Sequence, residues 1–135
     1  MHDQKGGASD SKITKKEISR ALTGDSKTMI DIAMKIAKLL SKVDVSKTQV
    51  RNVFGSLKSI QMSGFNMDKF VLLKPRMHYI TSRNKKLDPL GRVVSYSVDI
   101  ISDSENKEDL FERFCYFFEA ILAYHRALQK EIDFE

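Results

Sequence analysis

The chain has 135 residues, 41% hydrophobic and 30% charged, with a net charge of +5. That is one globular domain's worth, large enough to build a core without a disulfide or metal and too apolar for a disordered chain. The longest apolar runs fall far short of the roughly 20 residues that cross a bilayer. Cys115 is the only cysteine, and the N-terminal stretch lacks the apolar run of a secretory leader, so a reducing, cytoplasmic setting is expected.

The charge is unevenly placed. Residues 47–92 carry ten Lys and Arg against only Asp68 and Asp88, whereas residues 93–135 carry four basic and ten acidic residues. A basic middle beside an acidic end suggests a polyanionic partner, although uneven charge on a solvated surface also fits.

Residues 1–24 combine Gly6, Gly7, Ser9, Ser11, Thr23 and Gly24 with lysines and few large apolar groups, and read as a flexible basic arm. Ile13, Ile18 and Leu22 leave room in it for a short helix between Thr14 and Leu22. Residues 25–135 read as a single helical-bundle domain.

From Asp25, the residues Met29, Ile32, Ala33, Ile36, Ala37, Leu40 and Val43 recur at helical steps. Ser46-Lys47-Thr48-Gln49 has the form of a capping box, opening a second helix that runs to about Met62 and stops at Ser63-Gly64. A third begins near Asn66, and Pro75 inside it predicts a kink or a restart. Asp88-Pro89 fits an N-cap followed by proline. Residues 90–101 alternate like a strand at Val94, Tyr96, Val98 and Ile100, but no partner strand exists, so a helix is expected. The last helix, about 107–132, carries Leu110, Phe111, Phe114, Phe117, Phe118, Ile121 and Leu122 on one broad face, which predicts core. The expected fold is all-α, a compact bundle of about five helices.

Signatures of catalysis are missing from the sequence. There is no glycine-rich phosphate loop, GxSxG or HExxH. His2, His78 and His125 form no pair at ligand spacing, Cys115 sits among aromatics, and Asp99 and Asp103 read as a solvated helix face. No cofactor and no enzymatic activity are expected.

The basic spacing is more informative. Lys47, Arg51 and Lys58 share one side of a helix, and so do Lys69, Arg76 and Arg83 if the helix continues past Pro75. Two such stripes on adjacent helices would suit a phosphate backbone, and the arginine forks favour phosphate oxygens. With few aromatics expected at the surface, backbone contact outweighs base stacking.

Three blocks taken together resemble the small subunit of type III-A CRISPR effector complexes, the Csm small subunit. They are Lys47-Thr48-Gln49-Val50-Arg51-Asn52-Val53, then Leu72-Leu73-Lys74-Pro75-Arg76-Met77-His78-Tyr79 with Arg83, then Phe117-Phe118-Glu119-Ala120-Ile121-Leu122-Ala123-Tyr124-His125. The resemblance implies a helical, non-catalytic subunit stacked in several copies along a guide RNA–target RNA duplex, beside the other effector subunits. It places RNA-contacting positions at Arg51, Arg76 and Arg83; Lys47, Lys58 and Lys69 join them from the stripe pattern alone. Tyr79, Ala120 and Ala123 read as packing positions. The alternative is a helical adaptor whose basic face binds an acidic protein. Self-association is expected through Ile100, Ile101 and the aromatic side of residues 111–124.

Overall fold

The computed structural model describes residues 13–134. Its elements are α1 (Lys15–Thr23), α2 (Ser26–Lys42), α3 (Lys47–Met62), α4 (Met67–Val71), α5 (Leu73–Arg83), a 3-10 turn (Lys85–Leu87), α6 (Asp88–Ser102) and α7 (Lys107–Phe134). The class is all-α. Residues 90–101 lie within α6, with Leu90, Val93, Val94, Val98 and Ile101 buried, so the alternation there belongs to a helix wide enough to be covered on two sides.

Helix α7 is the spine. It packs along α2 and α3, with α1 against its other flank, while α5 and α6 pair with each other. Its phenylalanines link the elements through edge and face contacts. Phe118 stacks on Phe54 of α3 with ring centroids 5.7 Å apart, and Phe114 meets Phe118 edge-on at 6.0 Å. Phe70 of α4 meets Phe111 edge-on at 5.2 Å, and Phe111 lies 4.7 Å from Phe65. Such pairs add about 0.5–1.5 kcal/mol each beyond their buried area. They fix α3 and α4 to the same helix.

Local signals set most boundaries. Ser46 accepts a hydrogen bond from the Gln49 backbone N–H at 3.1 Å, and the Gln49 side chain accepts one from the Ser46 N–H at 3.0 Å. Asp25 caps α2 by accepting from the Thr28 N–H at 2.8 Å, and hydrogen bonding from the Thr28 side chain, with that backbone bond, holds its carboxyl below the usual range. Gly64 ends α3 at φ +92°, a left-handed backbone that a side chain would strain. Gly91 has a different role. A Cβ there would meet Thr81 Cγ2 at 2.7 Å, so the glycine lets α5 and α6 close on each other.

Two local expectations change. Residues 13–24, expected within a flexible arm with room for a short helix between Thr14 and Leu22, carry that helix as α1 and enter the core: Ile13, Ile18, Ala21 and Leu22 are all buried. The reason is distant in sequence, because Arg113 of α7 donates to the carbonyls of Leu22 (2.5 Å), Ala21 (3.1 Å) and Gly24 (2.7 Å), satisfying the end of α1. Residues 1–12 of the expected arm lie outside the described residues. Asp88 is the first residue of α6 rather than its cap, because Asn84 accepts from the Lys86 N–H and starts the 3-10 turn instead. Of the kink or restart expected from Pro75, the structure has the restart: it comes at Leu72, whose backbone stays right-handed (φ −68°, ψ −16°), so Pro75 falls in the first turn of α5, where its missing N–H costs little.

The apolar excess is not where the sequence suggested. Ile101 is fully buried, as are Phe114, Phe117 and Phe118, and Ile100 is partly covered. On the aromatic side of α7 only Tyr116, 57% exposed, stands out. Apart from Ile30 of α2, the other bare large groups among the described residues are Met62, at the end of α3, and Val71, Leu72 and Tyr79 along α4 and α5.

Candidate nucleic-acid interface

The six candidate cations fall into two groups set by the geometry of α3 and of α4–α5. At about 100° per residue, Lys47, Arg51 and Lys58 occupy one narrow arc of α3. Lys47 and Arg51 are exposed. Lys58 is half-buried, with its ammonium 3.1 Å from Gln61 Oε1 and 5.7 Å from the Phe54 ring centroid, and so belongs partly to the α3–α7 seam. The buried side of α3 is Val50, Val53, Leu57 and Ile60.

Lys69 lies on α4, and Arg76 and Arg83 on α5; all three are exposed. Because Leu72 keeps a right-handed backbone, the steps of seven carry across the restart and hold the three on one side. Arg83 is positioned by Tyr79: Nη1 donates to the tyrosine hydroxyl at 3.1 Å, and the guanidinium carbon is 5.5 Å from the ring centroid. Tyr79, expected as a packing residue, is 62% exposed. Ala123 is exposed and Ala120 half-buried, so close helix approach accounts for neither fully within this chain.

Helices α3 and α5 do not pack against each other but face across a cleft of about 300 Å³. Its floor is apolar, including Val94 of α6 and Phe114 and Phe118 of α7. Arg76 stands on the α5 wall, and Gln49, Asn52 and Ser56 form the α3 wall. These three lie about 100–180° round α3 from Lys47, Arg51 and Lys58. The two cationic groups therefore do not merge across the cleft. They form two edges, one on the outer flank of α3 and one along α4–α5.

Several other cations are already committed. Lys74 pairs with Asp99 at 2.5 Å, with Lys15 4.0 Å from the same carboxylate. Arg92 pairs with Asp88 at 2.8 Å, Lys35 with Glu17, and Arg113 holds the end of α1. Asp99, read from sequence as part of a solvated helix face, is thus the partner of two lysines. Among the described residues, none of Lys47, Arg51, Lys58, Lys69, Arg76 and Arg83 lies within 4.0 Å of a carboxylate oxygen.

The remaining chemistry-bearing groups are buried. Cys115 lies in the core, and burial pushes its thiol up to about 11, away from reactivity at neutral pH. His125 is fully buried; its Nε2 lies 2.9 Å from the Val45 carbonyl and Nδ1 has no partner. Neutral His125 therefore donates from Nε2, and burial holds its pKa below the ordinary value. No three His, Cys, Asp or Glu side chains gather to hold a metal among the described residues. None of the described helices is long and apolar enough to cross a membrane.

A small all-helical chain, with exposed cations along two of its edges, has the build of an accessory subunit. The family model Csm2 Type III-A matches residues 23–131, and the chain belongs to that family. It is therefore a small subunit of a type III-A CRISPR effector, one component of a multi-subunit complex. No curated protein and no solved structure matches the chain.

Proposed function

We propose that this small subunit is a non-catalytic RNA-binding component of a cytoplasmic ribonucleoprotein. It contacts the phosphate backbone of the guide–target RNA duplex, independently of sequence, through the two cationic edges. Arg51 and Lys47 act on the α3 edge, with Lys58 at its margin; Lys69, Arg76 and Arg83 act on the α4–α5 edge. The observation that carries this reading is placement. Lys47 and Arg51 share one arc of α3, and Lys69, Arg76 and Arg83 share one side of α4–α5, all exposed. With Lys58, they have no carboxylate partner among the described residues, a freedom they share with cations elsewhere such as Lys38 and Lys42. Five of them are exposed, so bringing a phosphate to them breaks no existing ion pair.

The test is a salt titration of binding to a guide–target RNA duplex. A chain that neutralises several phosphates loses affinity steeply as salt rises, with a log–log slope approaching the number of contacts. A flat response, or binding of an acidic protein in preference to RNA, would move the function to an adaptor.

A further inference from the structure

We propose that Tyr79, with Arg76 one turn before it and Arg83 behind it, is a seat for an unpaired RNA base on the α4–α5 edge. This rests on the RNA-binding reading above and adds to it a contact that phosphate neutralisation does not need.

Lys69, Leu72, Arg76, Tyr79 and Arg83 follow one another at steps of three and four, which puts them on one side of α4–α5. Within that strip, Leu72 is 64% exposed and Tyr79 62% exposed. Both are set between cations, and neither is covered by another element. The Tyr79 ring is also pre-oriented, since Arg83 donates to its hydroxyl at 3.1 Å and lays its guanidinium 5.5 Å from the centroid. Fixing an aromatic side chain before binding lowers the entropy that binding must otherwise take up.

The surrounding charge selects the occupant. Three cations without a carboxylate partner suit a polyanion, and the exposed ring suits a flat π-surface that the polyanion also carries. RNA supplies both, as phosphates and as bases, and aromatic stacking tolerates any base because each has a π-face. Bases inside an A-form duplex are stacked and out of reach, so the occupant is a base outside the pairing: unpaired, bulged or at a strand end. Arg76 and Arg83 lie on the same side, about one turn from Tyr79, to meet the flanking phosphates.

The test compares two RNA duplexes of the same sequence, one fully paired and one with a single unpaired 2-aminopurine. They are bound to the full-length chain and to Tyr79→Phe, Tyr79→Ala and Arg51→Ala/Arg76→Ala variants. Wild type and Tyr79→Phe are expected to prefer the unpaired RNA by roughly tenfold, the scale of one base–aromatic stack, and to quench its fluorescence. Tyr79→Ala should lose both the preference and the quenching while still binding the paired duplex. Arg51→Ala/Arg76→Ala should weaken both RNAs and leave quenching of the bound unpaired base. Equal wild-type affinity for the two RNAs, with no quenching, overturns the base seat and leaves the phosphate reading standing. Binding of neither RNA overturns both. A Tyr79→Ala variant that binds both RNAs like wild type but fails to join the other effector subunits makes the strip a protein contact, and overturns the seat.

Discussion

Helices α7 and α4–α5 both carry aromatic and aliphatic groups at helical spacing, yet the fold treats them in opposite ways. On α7, Phe111, Phe114, Phe117 and Phe118 are each at most 3% exposed, and Arg113 beside them is spent on the carbonyls of α1. On α4–α5, Leu72 and Tyr79 stand in water between cations that no carboxylate engages among the described residues. Apolar spacing marks a helix face. What covers that face, and which charges flank it uncommitted, decides whether it serves stability or recognition.

The stability side of this comparison should break most sharply at Phe118, which joins the stack on Phe54 to the edge contact with Phe114. Phe118→Ala is expected to cost about 3–5 kcal/mol in urea unfolding, since a buried aromatic leaves both lost transfer energy and a cavity. Arg113→Ala comes next. It removes a charged donor serving three carbonyls at the end of α1, and a loss of about 1.5–3 kcal/mol follows. Faster amide exchange concentrated in residues 15–23 would locate that loss in α1, and uniform exchange across the chain would not.

These two cases show how much of the molecule the sequence discloses. The capping box at Ser46 and Gln49, the phenylalanine face of α7 and the stop at Gly64 are local, and each reads directly from neighbouring residues. The docking of α1 does not, because its cover comes from a residue some ninety positions away, and Ile13, Ile18 and Leu22 alone look too sparse for a core element. The candidate cations are visible as steps of four and seven. Their separation into two edges is not, because it depends on the cleft that α7 and α6 hold open between α3 and α5. Tyr79 carried a usable signal, lying three residues from Arg76 and four from Arg83, but nothing local distinguishes a packed ring from a bare one.

Smaller effects should follow from the buried titratable groups. His125 donates to Val45 in either protonation state, but burial disfavours its charged form, and its folded pKa lies below the ordinary 6.5. The unfolded chain therefore binds a proton more readily in that window. Its contribution is fully present above about pH 6.5 and is lost as pH falls toward the folded value. The urea midpoint should drop between pH 7.5 and 5.5, and His125→Gln should show a shallower drop than wild type. Identical pH profiles would remove His125 as the cause. Cys115, with its thiol near 11 and buried, should react with a thiol reagent at pH 8 far more slowly in the native chain than in urea. Equal rates would mean that the α7 core opens readily.

The recognition side is tested most directly by two sets of arginine and lysine variants compared in one salt titration of guide–target duplex binding. Arg51→Ala/Arg76→Ala/Arg83→Ala removes uncommitted cations, whereas Lys74→Ala/Arg92→Ala removes cations already held by Asp99 and Asp88. If the uncommitted arginines touch phosphate, the triple variant loses about 0.9 of a unit of slope per arginine, and thermal unfolding shifts little. The Lys74→Ala/Arg92→Ala chain keeps the wild-type slope. A triple variant with an unchanged slope, or an equal loss in both sets, would contradict the assignment of the two edges to RNA.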